Sequence, residues 1–204
     1  MKQFGTAAIL AGGKSTRMEF DKQEIIIDPL NNIKLIDEQI RTLKQEFDEI
    51  LMITNTPALY QDSECTIVVD RISGKGPLGG FHAALEAGKS QYIYFIACDM
   101  PYICLDYIRY MKSEISQSGM DACVARQGSF LEPFNSFLSK RVFKQLEAFI
   151  VQDKKSIQDF VKSTNCHYIE KHFADEFCSG NDLFFNINTK DQLAHFLASR
   201  KGAI

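Results

Sequence analysis

The stretch "YIYFIACDMP", residues 92–101, decides the fold of this chain. Aromatic and β-branched residues fill its first part, which predicts the strongest β-strand of the chain. Asp99 and Pro101 follow at once, and a proline ends a strand because it has no N–H to donate to the ladder. The short apolar run at residues 4–10 predicts a second strand, buried on both faces. A strand buried on both faces is typical of a parallel sheet covered by helices. The carboxylate of Asp99 is then expected at the edge of that sheet.

Apolar residues on either side of this stretch alternate between strand-like and helix-like spacing. Short apolar runs predict further extended segments at residues 4–10, 49–54, 65–70, 121–126, 132–139, 166–173 and 183–188. Helical spacing predicts helices at residues 35–47, 81–88, 105–115, 139–150, 155–163 and 189–199. This alternation predicts an α/β fold, a three-layer sandwich with a mostly parallel, Rossmann-like sheet.

The composition is that of an ordinary soluble globular protein. The chain has 204 residues, of which 45% are hydrophobic and 24% charged, with a formal net charge of -3. That negative balance argues against nucleic acid or an anionic membrane as the main partner. No apolar segment has the length of a signal peptide or of a membrane span, so we expect a cytoplasmic protein.

The six cysteines raise the question of a metal site. They form no C-x-x-C pair, but Cys166, His167, His172 and Cys178 offer four zinc-type ligands. Their spacing matches no structural zinc pattern, and successive residues of a strand point to opposite faces. We interpret the four as loop and strand residues without a metal.

Polar residues follow the predicted strands where these strands end. They are Asn55, Asp70, Asp99, Asn186 and Asn188. Ligands of open α/β sheets bind beyond the carboxyl ends of the strands, so these side chains predict a site at one edge. Four of them also have a structural interpretation. Asp99 could be a helix N-cap, Asp70 could end its strand, and Asn186 and Asn188 could cap the last helix.

A second stretch, "ILAGGKSTRM" at residues 9–18, has the composition of a phosphate-binding loop. It matches neither the Walker P-loop, which needs a glycine five positions before the Gly-Lys pair, nor the dinucleotide fingerprint G-x-G-x-x-G. Lys14, Arg17 and Lys22 nevertheless place three cations within nine residues beside the glycines. Backbone N–H groups and cations together replace the hydration of a polyphosphate, which predicts a phosphate site. A solvated basic loop is the alternative.

Taken together, five motifs resemble one family. "LAGGKSTRM" is followed by "DK", by an aspartate before "GPLGG", by "ACDMP" and by "NINT", over residues 9–189. In this order the motifs resemble the molybdenum cofactor guanylyltransferases (MobA-type), a family of nucleotidyltransferases. The resemblance implies a nucleotide-diphospho-sugar transferase-like fold. It also implies transfer of GMP from GTP to molybdopterin carrying molybdenum, with release of pyrophosphate.

The resemblance also implies roles for individual residues. Those expected to bind the nucleotide are Leu10, Ala11, Gly12, Gly13, Lys22, Asn55, Asp70 and Asp99. Asp99 is expected to hold Mg²⁺, Lys22 and Arg17 to act with it in catalysis, and Asn186 and Asn188 to lie on the pterin side. Two departures from the family pattern, Glu19 in place of a glycine and "LNNIKLI" in place of a glycine-lysine-proline, remove none of these residues.

The chemistry of nucleotidyl transfer agrees with these residue types. A phosphate oxygen of the substrate attacks the α-phosphorus, so the protein needs no nucleophile and has to position groups and neutralise charge. We expect one domain over residues 1–204, with residues 1–100 binding the nucleotide and residues 101–204 the acceptor. Transient contacts with molybdenum-inserting or acceptor proteins are also expected.

Two other functions remain open from the sequence. The chain could be a cytidylyl or sugar-1-phosphate nucleotidyltransferase, or a catalytically idle nucleotide-binding protein of the same fold. Related cytidylyl enzymes tend to read Leu-Ala-Ala-Gly where this chain reads Leu-Ala-Gly-Gly.

Overall fold

The computed structural model describes residues 1–11, 25–28, 30–72, 74–178 and 181–201. The strands in these residues are β1 (Phe4–Leu10), β2 (Ile26–Asp28), β3 (Ile33–Lys34), β4 (Glu49–Ile53), β5 (Thr66–Val68), β6 (Tyr92–Ala97), β7 (Ala122–Gln127), β8 (Phe130–Ser139) and β9 (Cys166–Glu170). The helices are α1 (Leu35–Leu43), α2 (Pro77–Ala87), α3 (Leu105–Ser118), α4 (Phe143–Val151), α5 (Ile157–Lys162), α6 (Lys171–Glu176) and α7 (Lys190–Lys201).

Seven of these strands form one sheet in the order β5-β4-β1-β6-β8-β7-β9. Only β8 runs antiparallel to the other strands of this sheet. On β1, Ala8 faces Leu51 of β4 and Phe95 of β6, so the first strand lies inside the parallel half. The prediction of a mostly parallel sheet is confirmed.

Helices cover both faces of the sheet and complete three layers. On β6, Tyr94 and Ile96 pack with α1, α3 and α6, while Ile93 and Phe95 pack with α2, α4 and α5. The ring of Phe81 in α2 stacks on Phe95 at 4.1 Å between centroids. Strand β6, the strongest strand in the sequence pattern, is therefore one around which the two core layers form. No helix in the described part of the chain is long and apolar enough to span a membrane.

Two sequence-based assignments are wrong. Residues 183–188 form no strand, although Leu183, Phe184 and Ile187 are buried. The N–H of Phe184 donates to Asp182 Oδ1 and the Asn186 amide donates to the Phe184 carbonyl, so local bonds replace a ladder. The apolar run therefore signalled burial without strand pairing.

The extended segment predicted at residues 166–173 ends at Glu170, where α6 begins. Lys171 Nζ lies 2.8 Å from Asp175 Oδ2, an i,i+4 pair that supports a helical turn. Helix α1 is also shorter than predicted and ends at Leu43, while α2 begins earlier, with Pro77 at its start. A proline at the first helical position needs no N–H partner.

Candidate active site

The carboxyl ends of β5, β4, β1 and β6 lie side by side, and we call this border of the sheet the carboxyl edge. Hydrogen bonds continue past the last ladder residues: Ala11 N donates to the Ile53 carbonyl at 2.8 Å and Thr54 N to the Val68 carbonyl at 3.0 Å. Cys98 N donates to the Leu10 carbonyl at 3.1 Å. These bonds hold the residues that follow each strand at defined positions.

The carboxyl edge collects five of the residues expected to bind the nucleotide, and these are Leu10, Ala11, Asn55, Asp70 and Asp99. Leu10 and Ala11 are buried at the end of β1, whereas Asn55 is exposed just beyond β4. The remaining expected residues, Gly12, Gly13, Arg17 and Lys22, lie outside the described residues, as do Lys14 and Glu19.

Asp99 is the most enclosed acidic side chain at this edge, with 6% of its surface exposed. It belongs to a turn in which Met100 N donates to the Ala97 carbonyl at 3.2 Å. The backbone carbonyl of Asp99 also accepts a hydrogen bond from Ile187 N at 2.9 Å. Helix α3 begins only at Leu105, after the cap position Cys104, so Asp99 is not an N-cap.

Asp70 lies against the start of α2. Its Oδ1 accepts a hydrogen bond from Ile72 N at 2.8 Å, so it closes a short turn. A Cβ atom added to Gly79 would lie 2.4 Å from Asp70 Oδ2, and one added to Gly80 would lie 2.8 Å from Leu10 Cδ2. The last two glycines of "GPLGG" therefore let the helix approach the carboxyl edge closely, since a side chain at either position would displace Asp70 or Leu10. This approach brings the positive end of the α2 dipole to Asp70.

Asn186 and Asn188 lie in the segment that joins α6 to α7. Asn186 donates to the Phe184 carbonyl at 2.8 Å, and Asn188 N donates to Gln192 Oε1 at 2.7 Å. Thr189 Oγ1 accepts from Gln192 N at 3.1 Å and so serves the first turn of α7. The segment is tied to Asp99 through Ile187, which places the two asparagines beside the carboxyl edge.

Two further residues that support this edge are absent from the residues expected from the sequence. Gln39 of α1 donates through Nε2 to the carbonyls of Ala97 at 3.0 Å and Met100 at 2.8 Å. Asn135 of β8 accepts a hydrogen bond from the Tyr94 hydroxyl and donates to the Leu183 carbonyl at 2.6 Å. The available signal was a single amide inside an otherwise apolar pattern, in α1 and in "EPFNSFLS" respectively.

The structure shows the surroundings of three of the four zinc-type residues, Cys166, His167 and Cys178. His167 Nε2 lies 3.1 Å from Glu114 Oε2. Burial raises the pKa of the Cys166 thiol to about 12 and that of Cys178 to about 11, which favours the protonated forms over the thiolates that bind metals. Within the described ranges, no group of three or more His, Cys, Asp or Glu side chains is placed to hold a metal ion.

Comparison with known proteins identifies the family of this chain. Residues 7–169 match the model of the MobA-like NTP transferase domain. A probable molybdenum cofactor guanylyltransferase of Peptoclostridium acidaminophilum is 42% identical, over 96% of this chain and 89% of that protein. A molybdenum cofactor guanylyltransferase of Syntrophotalea carbinolica is also 42% identical, over 93% of this chain and 89% of its own length.

The solved structures agree on the fold. Molybdopterin-guanine dinucleotide biosynthesis protein A from Archaeoglobus fulgidus superposes with a TM-score of 0.83 at 23% identity, over 97% of this chain and 99% of that one. The nucleotide-diphospho-sugar transferase-like fold and the resemblance drawn from the five motifs are confirmed. This chain belongs to the MobA-like NTP transferase domain family and is a nucleotidyltransferase.

Proposed function

We propose that this enzyme transfers GMP from GTP to molybdopterin carrying molybdenum, forming the guanine dinucleotide cofactor and pyrophosphate. The observation that carries the proposal is the buried Asp99 carboxylate at the carboxyl edge, in a chain 42% identical to relatives named for this reaction. A carboxylate beside the strand ends is a group that can hold the metal ion in phosphoryl-transfer chemistry.

We propose Mg²⁺ as the divalent metal of the reaction. Mg²⁺ is bound in such enzymes by one or two carboxylates together with substrate phosphates and water, and Asp99 fits as the protein ligand. In the described residues no larger ligand cluster is present that would favour a metal held entirely by protein groups. When bound, Mg²⁺ neutralises charge on the phosphates.

The reaction then depends on how the protein positions its substrates. An acceptor phosphate oxygen forms a bond to the α-phosphorus of GTP, and the bond from that phosphorus to the bridging oxygen of the β-phosphate breaks. Pyrophosphate leaves with the bonding electrons. We assign Lys22 and Arg17 to the charge that develops on the leaving group, with Leu10, Ala11, Gly12 and Gly13 along the nucleotide.

We assign the two substrates, GTP and molybdopterin, to the two halves of the chain. Residues 1–100 are proposed to bind the nucleotide, with Asn55 and Asp70 in contact with the nucleoside. Residues 101–204 are proposed to bind the acceptor, with Asn186 and Asn188 in contact with the pterin. The bond from Ile187 to the carbonyl of Asp99 supports this division because it ties the second half to the reaction centre. GTP is abundant in the cytoplasm, where we propose that the enzyme acts and meets molybdenum-inserting or acceptor proteins transiently.

Nucleotide binding tests the choice of base. In calorimetric titrations of the protein with GTP, CTP, ATP and UTP, we expect GTP to bind most tightly. Tighter binding of CTP would move the protein to the cytidylyl branch of the fold. Equal binding of all four would show that the site does not select the base.

A further inference from the structure

One polar residue lies on the buried face of α1. Gln39 is 1% exposed, and its helical neighbours Leu35, Ile36, Ile40 and Leu43 are all buried apolar residues. Burying an amide side chain costs free energy unless its polar atoms are hydrogen-bonded. The position therefore needs an explanation beyond packing.

The Gln39 amide is hydrogen-bonded to both ends of the turn that contains Asp99. Nε2 donates to the carbonyl of Ala97 at 3.0 Å and to the carbonyl of Met100 at 2.8 Å, the residues at the two ends of the turn. Met100 N donates back to the Ala97 carbonyl at 3.2 Å. Both hydrogens of one amide thus fix the backbone on either side of the Asp99 side chain.

The oxygen of the same amide lacks a hydrogen-bond partner among the described residues. This atom, Gln39 Oε1, is also buried. A buried acceptor without a partner destabilises the fold, and an apolar side chain of similar volume would avoid that cost. What the glutamine contributes in return is the pair of bonds that hold the turn, because an apolar side chain would offer the Ala97 and Met100 carbonyls no N–H group.

We propose that Gln39 is a positioning residue that sets the direction of the Asp99 carboxylate toward the divalent metal, an inference that rests on the proposed function. Asp99 is a short side chain, so the turn decides where its oxygens lie. Partners of this kind, which touch a metal ligand and not the metal, typically change metal affinity 10- to 100-fold when they are removed.

Metal binding measured without the acceptor tests this role. We would titrate Mn²⁺ as the probe, by electron paramagnetic resonance at saturating GTP, into wild type and Gln39→Met. The substitution nearly keeps the volume and removes both hydrogen bonds. We expect the Kd for Mn²⁺ to rise about tenfold or more. The Kd for GTP without metal should stay within about twofold.

A matched control separates positioning from loss of stability. Ile40→Val alters the neighbouring residue of the same buried helix face and removes one methyl group from the core. It should leave the Kd for Mn²⁺ unchanged. The unfolding midpoints of both variants show how much stability each substitution removes. Should Gln39→Met not fold, Gln39→Asn supplies the same test, since its shorter side chain cannot span both carbonyls.

A double variant shows whether Gln39 acts through Asp99. In an Asp99→Asn background, Gln39→Met should have almost no further effect on the Kd for Mn²⁺, because the ligand that it orients is gone. Equal effects in both backgrounds, or an unchanged Kd in Gln39→Met alone, would overturn the proposal. These titrations contain no acceptor, so they stand even if GMP transfer to molybdopterin fails in the wild type.

Discussion

At the scale of single residues, the carboxyl edge depends on side chains whose surroundings restrict what they can do. Asp99 is buried where an acidic group is ordinarily exposed, and its backbone carbonyl accepts a hydrogen bond from Ile187 in the segment before α7. The preceding residue, Cys98, donates to the Leu10 carbonyl at the end of β1. Acidic side chains are seldom this buried in folded proteins. This combination is the reason for the first prediction.

Asp99→Asn should nearly abolish turnover while leaving the fold intact. The amide has almost the shape of the carboxylate but is a poor ligand for Mg²⁺. Steady-state rates at saturating Mg²⁺, together with the thermal unfolding midpoint, measure the two effects separately. Turnover within about tenfold of wild type, roughly 1.4 kcal/mol on the barrier, would show that Asp99 is structural.

At the scale of elements, the geometry of the site comes from how helices and segments meet the sheet. Helix α2 touches Asp70 and Leu10 because its first turn carries two glycines. On the other side, β8 pairs with β6 as far as Ser136, and the next residue toward the carboxyl edge, Asn135, has a φ of 52°. The segment 183–187 lies between Asn135 and Asp99 and is bonded to both.

Gly79→Ala should destabilise the protein by about 1–3 kcal/mol, as overpacking of a tight contact does. The new methyl group would lie 2.4 Å from Asp70 Oδ2, so either the carboxylate or the helix has to move. Urea unfolding measures the loss. In an Asp70→Ala background the same substitution should cost much less, and an equal cost in both backgrounds would refute the contact as its cause.

Asn135→Gly should weaken binding of the acceptor more than binding of GTP. Glycine accepts the positive φ, so the substitution removes the bonds to Tyr94 and Leu183 without adding backbone strain. The segment that carries Asn186 then loses its anchor on β8. We expect the KM for molybdopterin to rise by about tenfold and the KM for GTP to stay within about twofold.

The Asn135 prediction has an internal comparison. Tyr94→Phe removes the hydroxyl bond to Asn135 but keeps the bond from Asn135 to Leu183. It should leave the KM for molybdopterin close to that of wild type. If Tyr94→Phe and Asn135→Gly raise this KM equally, the effect comes from the core around β6 and not from the segment.

At the scale of the whole molecule, ion pairs outside the site join helices that cover the same face of the sheet. Glu46 follows α1 and reaches α3, with its Oε2 3.0 Å from Lys112 Nζ and its Oε1 2.6 Å from Arg109 Nε. Burial raises the pKa of Glu46, but the hydrogen bonds from Lys112 and Arg109 outweigh it and hold that pKa below its usual value. The contact therefore stabilises the fold only when the carboxyl is ionised.

Glu46→Gln should reduce stability at pH 7, and the reduction should shrink in acid. A carboxyl whose pKa is lower in the folded state contributes its full stability above the unfolded-state pKa and loses it as pH falls through the folded-state pKa. Urea unfolding of both proteins at pH 7 and at about pH 3 measures the difference. A constant difference at both pH values would contradict the ionic role.

The sequence predicted this molecule well where local pattern and tertiary structure agree. The buried strand at residues 92–97, the parallel half of the sheet and the placement of Asp70 and Asp99 at the same edge follow from apolar runs that end in polar residues. Residues 183–188 were mistaken for a strand because burial leaves the same apolar pattern as strand pairing. Gln39 and Asn135 were missed because their roles depend on contacts 58 and 48 residues away in sequence.

Transfer of GMP to molybdopterin is tested most directly by pyrophosphate release. The purified enzyme would be given each of the four nucleoside triphosphates with Mg²⁺, with and without molybdenum-loaded molybdopterin, and Asp99→Asn would serve as the inactive reference. Of the four nucleoside triphosphates, we predict that GTP is the one that releases pyrophosphate, and that it does so only when molybdopterin is present. Faster release with CTP, release that does not need molybdopterin, or no release above the Asp99→Asn background would contradict the proposed reaction.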